Sequence, residues 1–69
     1  MQVISEYFGD DNKLTAVVGI DNNIPYVDFI NNGLLVERRK FPNNTLDYAE
    51  EAGENFVTGI LKLDKRELL

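Results

Sequence analysis

Up to Lys40, apolar and polar side chains alternate with a period of two. Clusters of Gly, Asn and Asp interrupt the alternation, a pattern that predicts short antiparallel strands joined by tight turns. A first strand is expected over Gln2–Phe8, closed by Gly9-Asp10-Asp11-Asn12. A second, over 13–20, places Leu14, Ala16, Val18 and Ile20 on one side and Thr15, Val17 and Gly19 on the other. Asp21-Asn22-Asn23 breaks the chain, and Pro25, with no amide hydrogen to donate, suits the entrance to a third strand over 26–30. Leu34–Lys40 is the fourth.

Asn32-Gly33 is the strongest local signal, because both residues tolerate the positive φ of a type I′ turn. A two-residue loop pairs Asn31 with Leu34, Phe29 with Val36 and Val27 with Arg38. It also sets Asp28 against Glu37, a like-charge contact that Arg39 would relieve. A three-residue loop with Gly33 in a bulge is the competing reading.

After Phe41-Pro42-Asn43-Asn44 the period changes. Ala49, Ala52, Phe56, Ile60 and Leu63 recur at steps of three or four, predicting an amphipathic helix over 45–62 with Asn44 or Thr45 as its cap. Asp47, Glu50 and Glu51 suit the helix N-terminus, and Lys62, Lys65 and Arg66 the other end. Gly53 and Gly59 each weaken such a helix by about 1 kcal/mol relative to Ala. Ala49, Ala52 and Gly53 nonetheless form a small-residue patch suited to close approach to a sheet. Residues 64–69 are expected to fray.

These elements predict one domain over 1–69: a two-layer α+β fold, ββββα, with a four-stranded antiparallel meander and one C-terminal helix on one face. Hairpin parity assigns Val3, Tyr7, Leu14, Ala16, Val18, Val27, Phe29, Leu34 and Val36 to the helix side. The opposite face receives Ile4, Phe8, Val17, Tyr26, Ile30 and Leu35 among Glu6, Thr15, Asp28, Glu37 and Arg39, with no second helix to cover it. An apolar patch of that size suits association with a second copy or another protein. The alternative is that polar neighbours shade it.

The segment Tyr48-Ala49-Glu50-Glu51-Ala52-Gly53-Glu54-Asn55-Phe56, with Gly59-Ile60 beyond it, resembles the C-terminal helix of short uncharacterised proteins of cyanobacterial and other marine tailed phages. In those proteins a strand pair with an Asn-Gly-type turn precedes a similar helix, so the likeness spans residues 26–62. It implies a virus-encoded protein acting in the host cytoplasm and carries no activity with it.

Composition narrows the chemistry. With 69 residues and no Cys, His or Trp, the chain lacks the side chains on which most acid–base, nucleophilic and metal sites depend. Ser5 is the only serine, and no catalytic residue, metal ligand or cofactor site is expected, nor is any small-molecule substrate evident. No apolar run is long enough to cross a bilayer, and the first residues do not read as a signal peptide, so a cytoplasmic location is expected. Asp10-Asp11-Asn12 and Asp21-Asn22-Asn23 are oxygen-rich but lack calcium-loop spacing, and read as polar hairpin loops.

Twelve acidic against seven basic residues give a net charge of −5, which disfavours nucleic acid. Arg38-Arg39-Lys40 is the only basic run, and alternation splits it between faces. Asp47, Glu50, Glu51 and Glu54 line the outer side of the helix. They support an alternative function as an acidic inhibitor or DNA mimic docking on a basic host enzyme. The leading expectation is a non-enzymatic interaction module, a homodimer or host-protein binder acting through its open sheet face.

Overall fold

The computed structural model describes residues 1–10, 12–59 and 61. Four strands, β1 (Gln2–Phe8), β2 (Leu14–Asp21), β3 (Ile24–Asn31) and β4 (Leu34–Lys40), form one antiparallel sheet in the order β1-β2-β3-β4, and the helix α1 (Leu46–Val57) follows. The fold is therefore ββββα, of the α+β class, with α1 packed chiefly on β2 and then on β3 and β1.

Two hairpins close on two-residue turns whose central residues all have positive φ: Asn22 (52°) and Asn23 (66°), then Asn32 (54°) and Gly33 (80°). The Asn22-Asn23 turn starts β3 at Ile24, ahead of the expected Tyr26, and so brings Pro25 inside a central strand. The missing amide costs little there, because β4 ends at Lys40. Beyond it, only the Phe41 amide reaches Pro25, donating to its carbonyl at 2.8 Å.

Each edge strand carries a bulge that the alternation did not reveal. In β1, Val3 pairs with Gly19 and Ser5 with Val18, leaving Ile4 as the extra residue. Val3 is therefore on the open side and 56% exposed, not on the helix side. In β4, Leu34 and Leu35 pair with Asn31 and Ile30 as the turn dictates. Phe29 then faces Glu37, Asp28 faces Arg38 and Val27 faces Arg39, so Val36 is the extra residue.

This shift corrects the expected pairs Phe29–Val36 and Val27–Arg38. It also moves Glu37 and Arg39 to the helix side and replaces the like-charge contact of Asp28 and Glu37 with an ion pair between Asp28 and Arg38. Leu34 keeps its expected face, but α1 does not reach it and it is 73% exposed.

The core lies between sheet and helix. Ala16, Val18, Val27 and Phe29 meet Ala49, Phe56 and Val57, with Tyr7, Leu14, Val36, Phe41, Leu46 and Leu61 around them. The Phe29 and Phe56 rings are tilted against each other with centroids 4.7 Å apart. Gly53 is the point of closest approach: a methyl group there would stand 3.1 Å from Val18 Cγ2 and 3.2 Å from Ala16 Cβ. The glycine that weakens the helix is thus what lets it lie against β2.

Thr45 caps α1, its hydroxyl accepting from the Tyr48 amide. The helix is shorter than the periodicity predicts. Gly59, at φ 88°, turns the chain into the left-handed region directly after the Thr58 cap and donates to the Phe56 carbonyl, ending α1 before the expected limit at 62. Ile60, the basic residues Lys62, Lys65 and Arg66, and the 64–69 tail lie outside the described residues. None of the helices described is long and apolar enough to cross a membrane.

Candidate functional site

Because residues paired across neighbouring strands share a face, the register divides the open side of the sheet into three rows. The first, beside the β1–β2 and β3–β4 turns, runs Phe8, Thr15, Ile30, Leu35. The second runs Glu6, Val17, Asp28, Arg38, and the third Val3, Gly19, Tyr26, Lys40. The rows differ sharply in character. Phe8 and Leu35, at the two ends of the first, are 60% and 59% exposed, and Thr15 and Ile30 are half-buried between them. The first row is thus an apolar strip across the full width of the sheet.

The third row is filled from within. Tyr26 is only 1% exposed although it faces away from the helix. Its ring lies across Gly19, which has no side chain to lift it, and the Arg38 guanidinium covers it from above, 4.7 Å from the ring centroid. Arg38 is held in that position by Asp28, to which it donates from Nε (2.6 Å) and Nη2 (2.9 Å). The same bond raises the already high pKa of the guanidinium, so Arg38 is charged at every accessible pH.

Of the six residues expected to form the open apolar surface, the structure brings Phe8, Ile30 and Leu35 into one row with Val17 behind them. It places Ile4 on the β1 bulge and withdraws Tyr26 beneath Arg38. Val3 and Arg38 join the face in place of Glu37 and Arg39. No pattern in the sequence announces these changes, because the bulged residues Ile4 and Val36 are ordinary strand residues.

The acidic helix residues separate. Asp47, Glu51 and Glu54 are exposed, whereas Glu50 turns toward β1 and accepts a 2.9 Å hydrogen bond from Ser5 Oγ. Burial, and after it the charges of Glu50 and Glu54, raise the pKa of the nearby Tyr7 hydroxyl.

On the helix side of β4, Arg39 donates to Glu37 at 2.7 and 3.1 Å. It borders a cleft of ≈ 160 Å³ with Phe41, Tyr48, Glu51, Ala52, Asn55 and Leu61, small beside the ≈ 300 Å³ of modest ligand sites. The basic run is divided between faces, as alternation predicts, but with the faces exchanged by the β4 bulge: Arg38 and Lys40 are on the open face and Arg39 is behind. Among the described residues no group of three or more acidic side chains is placed to hold a metal ion.

Against this geometry, comparisons with protein-family models, characterised proteins and solved structures find no match.

Proposed function

We propose that this chain is a non-enzymatic protein-association module whose working surface is the apolar strip Phe8, Thr15, Ile30, Leu35 on the open face of the sheet. The observation that carries the reading is the exposure of Phe8 and Leu35 at the ends of a row that no element among the described residues covers. A small domain has little apolar surface to spare, since only about 60% of its chain surface is buried on folding. Large side chains left in water on a sheet face are a cost that association removes.

The reading is tested by immobilising the wild-type chain and passing over it both purified chain and cell lysate. The comparison set is Leu35→Asp on the strip and Glu51→Lys on the helix. Retention that is lost with Leu35→Asp and kept with Glu51→Lys supports the strip. Retention indifferent to Leu35→Asp, or abolished by Glu51→Lys, overturns it, and the second result favours recognition through the acidic helix.

A further inference from the structure

The apolar row and the Glu6 and Arg38 charges of the open face match a copy of themselves in one orientation, and from this we infer that its occupant is a second copy of the chain, related by a two-fold axis lying between the two sheets and parallel to their strands. The inference rests on the association surface proposed above and adds its partner and geometry.

A rotation about that axis lays β1 of one copy over β4 of the other and β2 over β3, and returns each row to itself. Phe8 then meets Leu35, and Thr15 meets Ile30, so the two apolar strips cover each other end to end. In the second row Glu6 of one copy meets Arg38 of the other. Arg38 can make this contact without giving up Asp28: its bonds to Asp28 use Nε and Nη2, and the Nη1 hydrogens are outside that pair. In the third row the Tyr26 ring lies across Gly19 and is 1% exposed, which keeps the centre of the row level, while the exposed Val3 and Lys40 meet at its two ends.

The alternatives fail on the same rows. A two-fold running across the strands and centred on the second row sets Glu6 against Glu6, Asp28 against Asp28 and Arg38 against Arg38. Centred on the first row, it covers that row alone. Pairing through a sheet edge meets a bulge on either side, at Ile4 in β1 and at Val36 in β4, where the ladder of donors and acceptors is broken.

Four strands about 4.8 Å apart, covered over three rows, bury on the order of 1,000 Å² in total. That is the lower limit of a specific interface, so the dimer dissociates on dilution.

The chain has no cysteine, so single cysteines report the geometry cleanly. Sheets packed about 10 Å apart are too distant for a disulfide and suit a short bis-maleimide. Phe8→Cys mixed with Leu35→Cys is expected to give a cross-linked heterodimer. Phe8→Cys alone is expected to give none, because its two copies lie about three strand spacings apart, roughly 14 Å sideways. In sedimentation equilibrium, Glu6→Arg is expected to weaken the dimer about tenfold by setting Arg against Arg38. Glu54→Arg, which changes net charge equally but lies on the helix, should not weaken it.

Cross-linking of Phe8→Cys with itself, or with Val3→Cys, would overturn this axis and leave the strip as the association surface. A dimer that none of these pairs cross-links would overturn both proposals. A strict monomer at millimolar concentration would overturn the second copy as occupant, and the retention experiment on Leu35→Asp then decides the strip by itself.

Discussion

Gly19→Ala tests whether Tyr26 is held beneath Arg38 by the absence of a side chain under it. The backbone at Gly19 is ordinary strand, without positive φ, so alanine is sterically acceptable to the chain itself and should gain a few tenths of a kcal/mol in backbone entropy. The obstacle is space. The added methyl would stand 2.5 Å from the Gln2 carbonyl oxygen, 2.5 Å from the Tyr26 hydroxyl oxygen and 2.6 Å from Tyr26 Cζ. Comfortable contact is about 3.5 Å, so the ring must retreat by about 1 Å. Above it is the Arg38 guanidinium, tied to Asp28, and Gln2 cannot yield without opening β1 beyond its bulge.

Overpacking of this kind costs about 1–3 kcal/mol, and the net loss should be about 2 kcal/mol. A domain of this size has roughly 3–10 kcal/mol of stability in all, and each kcal/mol moves its melting temperature by about 4–8 °C. The melting temperature should therefore fall by roughly 8–16 °C. Urea unfolding followed by far-ultraviolet circular dichroism measures the loss, and near-ultraviolet dichroism, with tyrosine and phenylalanine as the only aromatic residues, follows the displaced ring. In a Tyr26→Ala background, where the contact with the Gln2 carbonyl remains and the contact with the ring is gone, the same glycine substitution should cost less. Stability of Gly19→Ala within about 0.5 kcal/mol of wild type, or equal penalties in the two backgrounds, would refute the wedge.

Gly53→Ala sets helix propensity against packing. The gain of about 1 kcal/mol is outweighed by contacts at 3.1 and 3.2 Å with Val18 and Ala16, which are fully buried in an interior strand and cannot withdraw, so a net loss of about 1 kcal/mol is expected. In a Val18→Ala background, which removes the closer of the two contacts, the same change should cost less, as a double-mutant cycle in urea would show. Tyr7 gives a pH signature. Its folded-state pKa lies above the unfolded value near 10, so above about pH 10 the unfolded chain releases a proton that the native state keeps, and stability falls as pH rises. Tyr7→Phe should flatten that alkaline fall in urea midpoints measured between about pH 8 and pH 11; an unchanged slope would show that Tyr7 does not contribute to it.

Much of this fold is legible in the chain because its turns carry their own chemistry. Asn32-Gly33 fixed the last hairpin, and the change of period after Pro42 located the helix. What escaped reading follows from one physical fact: alternation identifies a face only while the ladder is uniform. One extra residue at Ile4 and one at Val36 exchange faces for everything beyond them, and neither position differs chemically from its neighbours. Alternation alone therefore assigns Val3 to the wrong side and gives no sign that Arg38 covers Tyr26. In the sequence Gly59 has the appearance of a weak helical position, because helical periodicity continues past it at Ile60 and Leu63, whereas its left-handed backbone ends the helix.

The two bulges bear on stoichiometry. A sheet with regular edges and one sticky face offers growth in two directions, along the edge as well as across the face, and such particles polymerise. With both edges interrupted, only the face remains, and a face used once by each copy is used up. The irregularities that confuse the reading of this sequence would make its assembly finite.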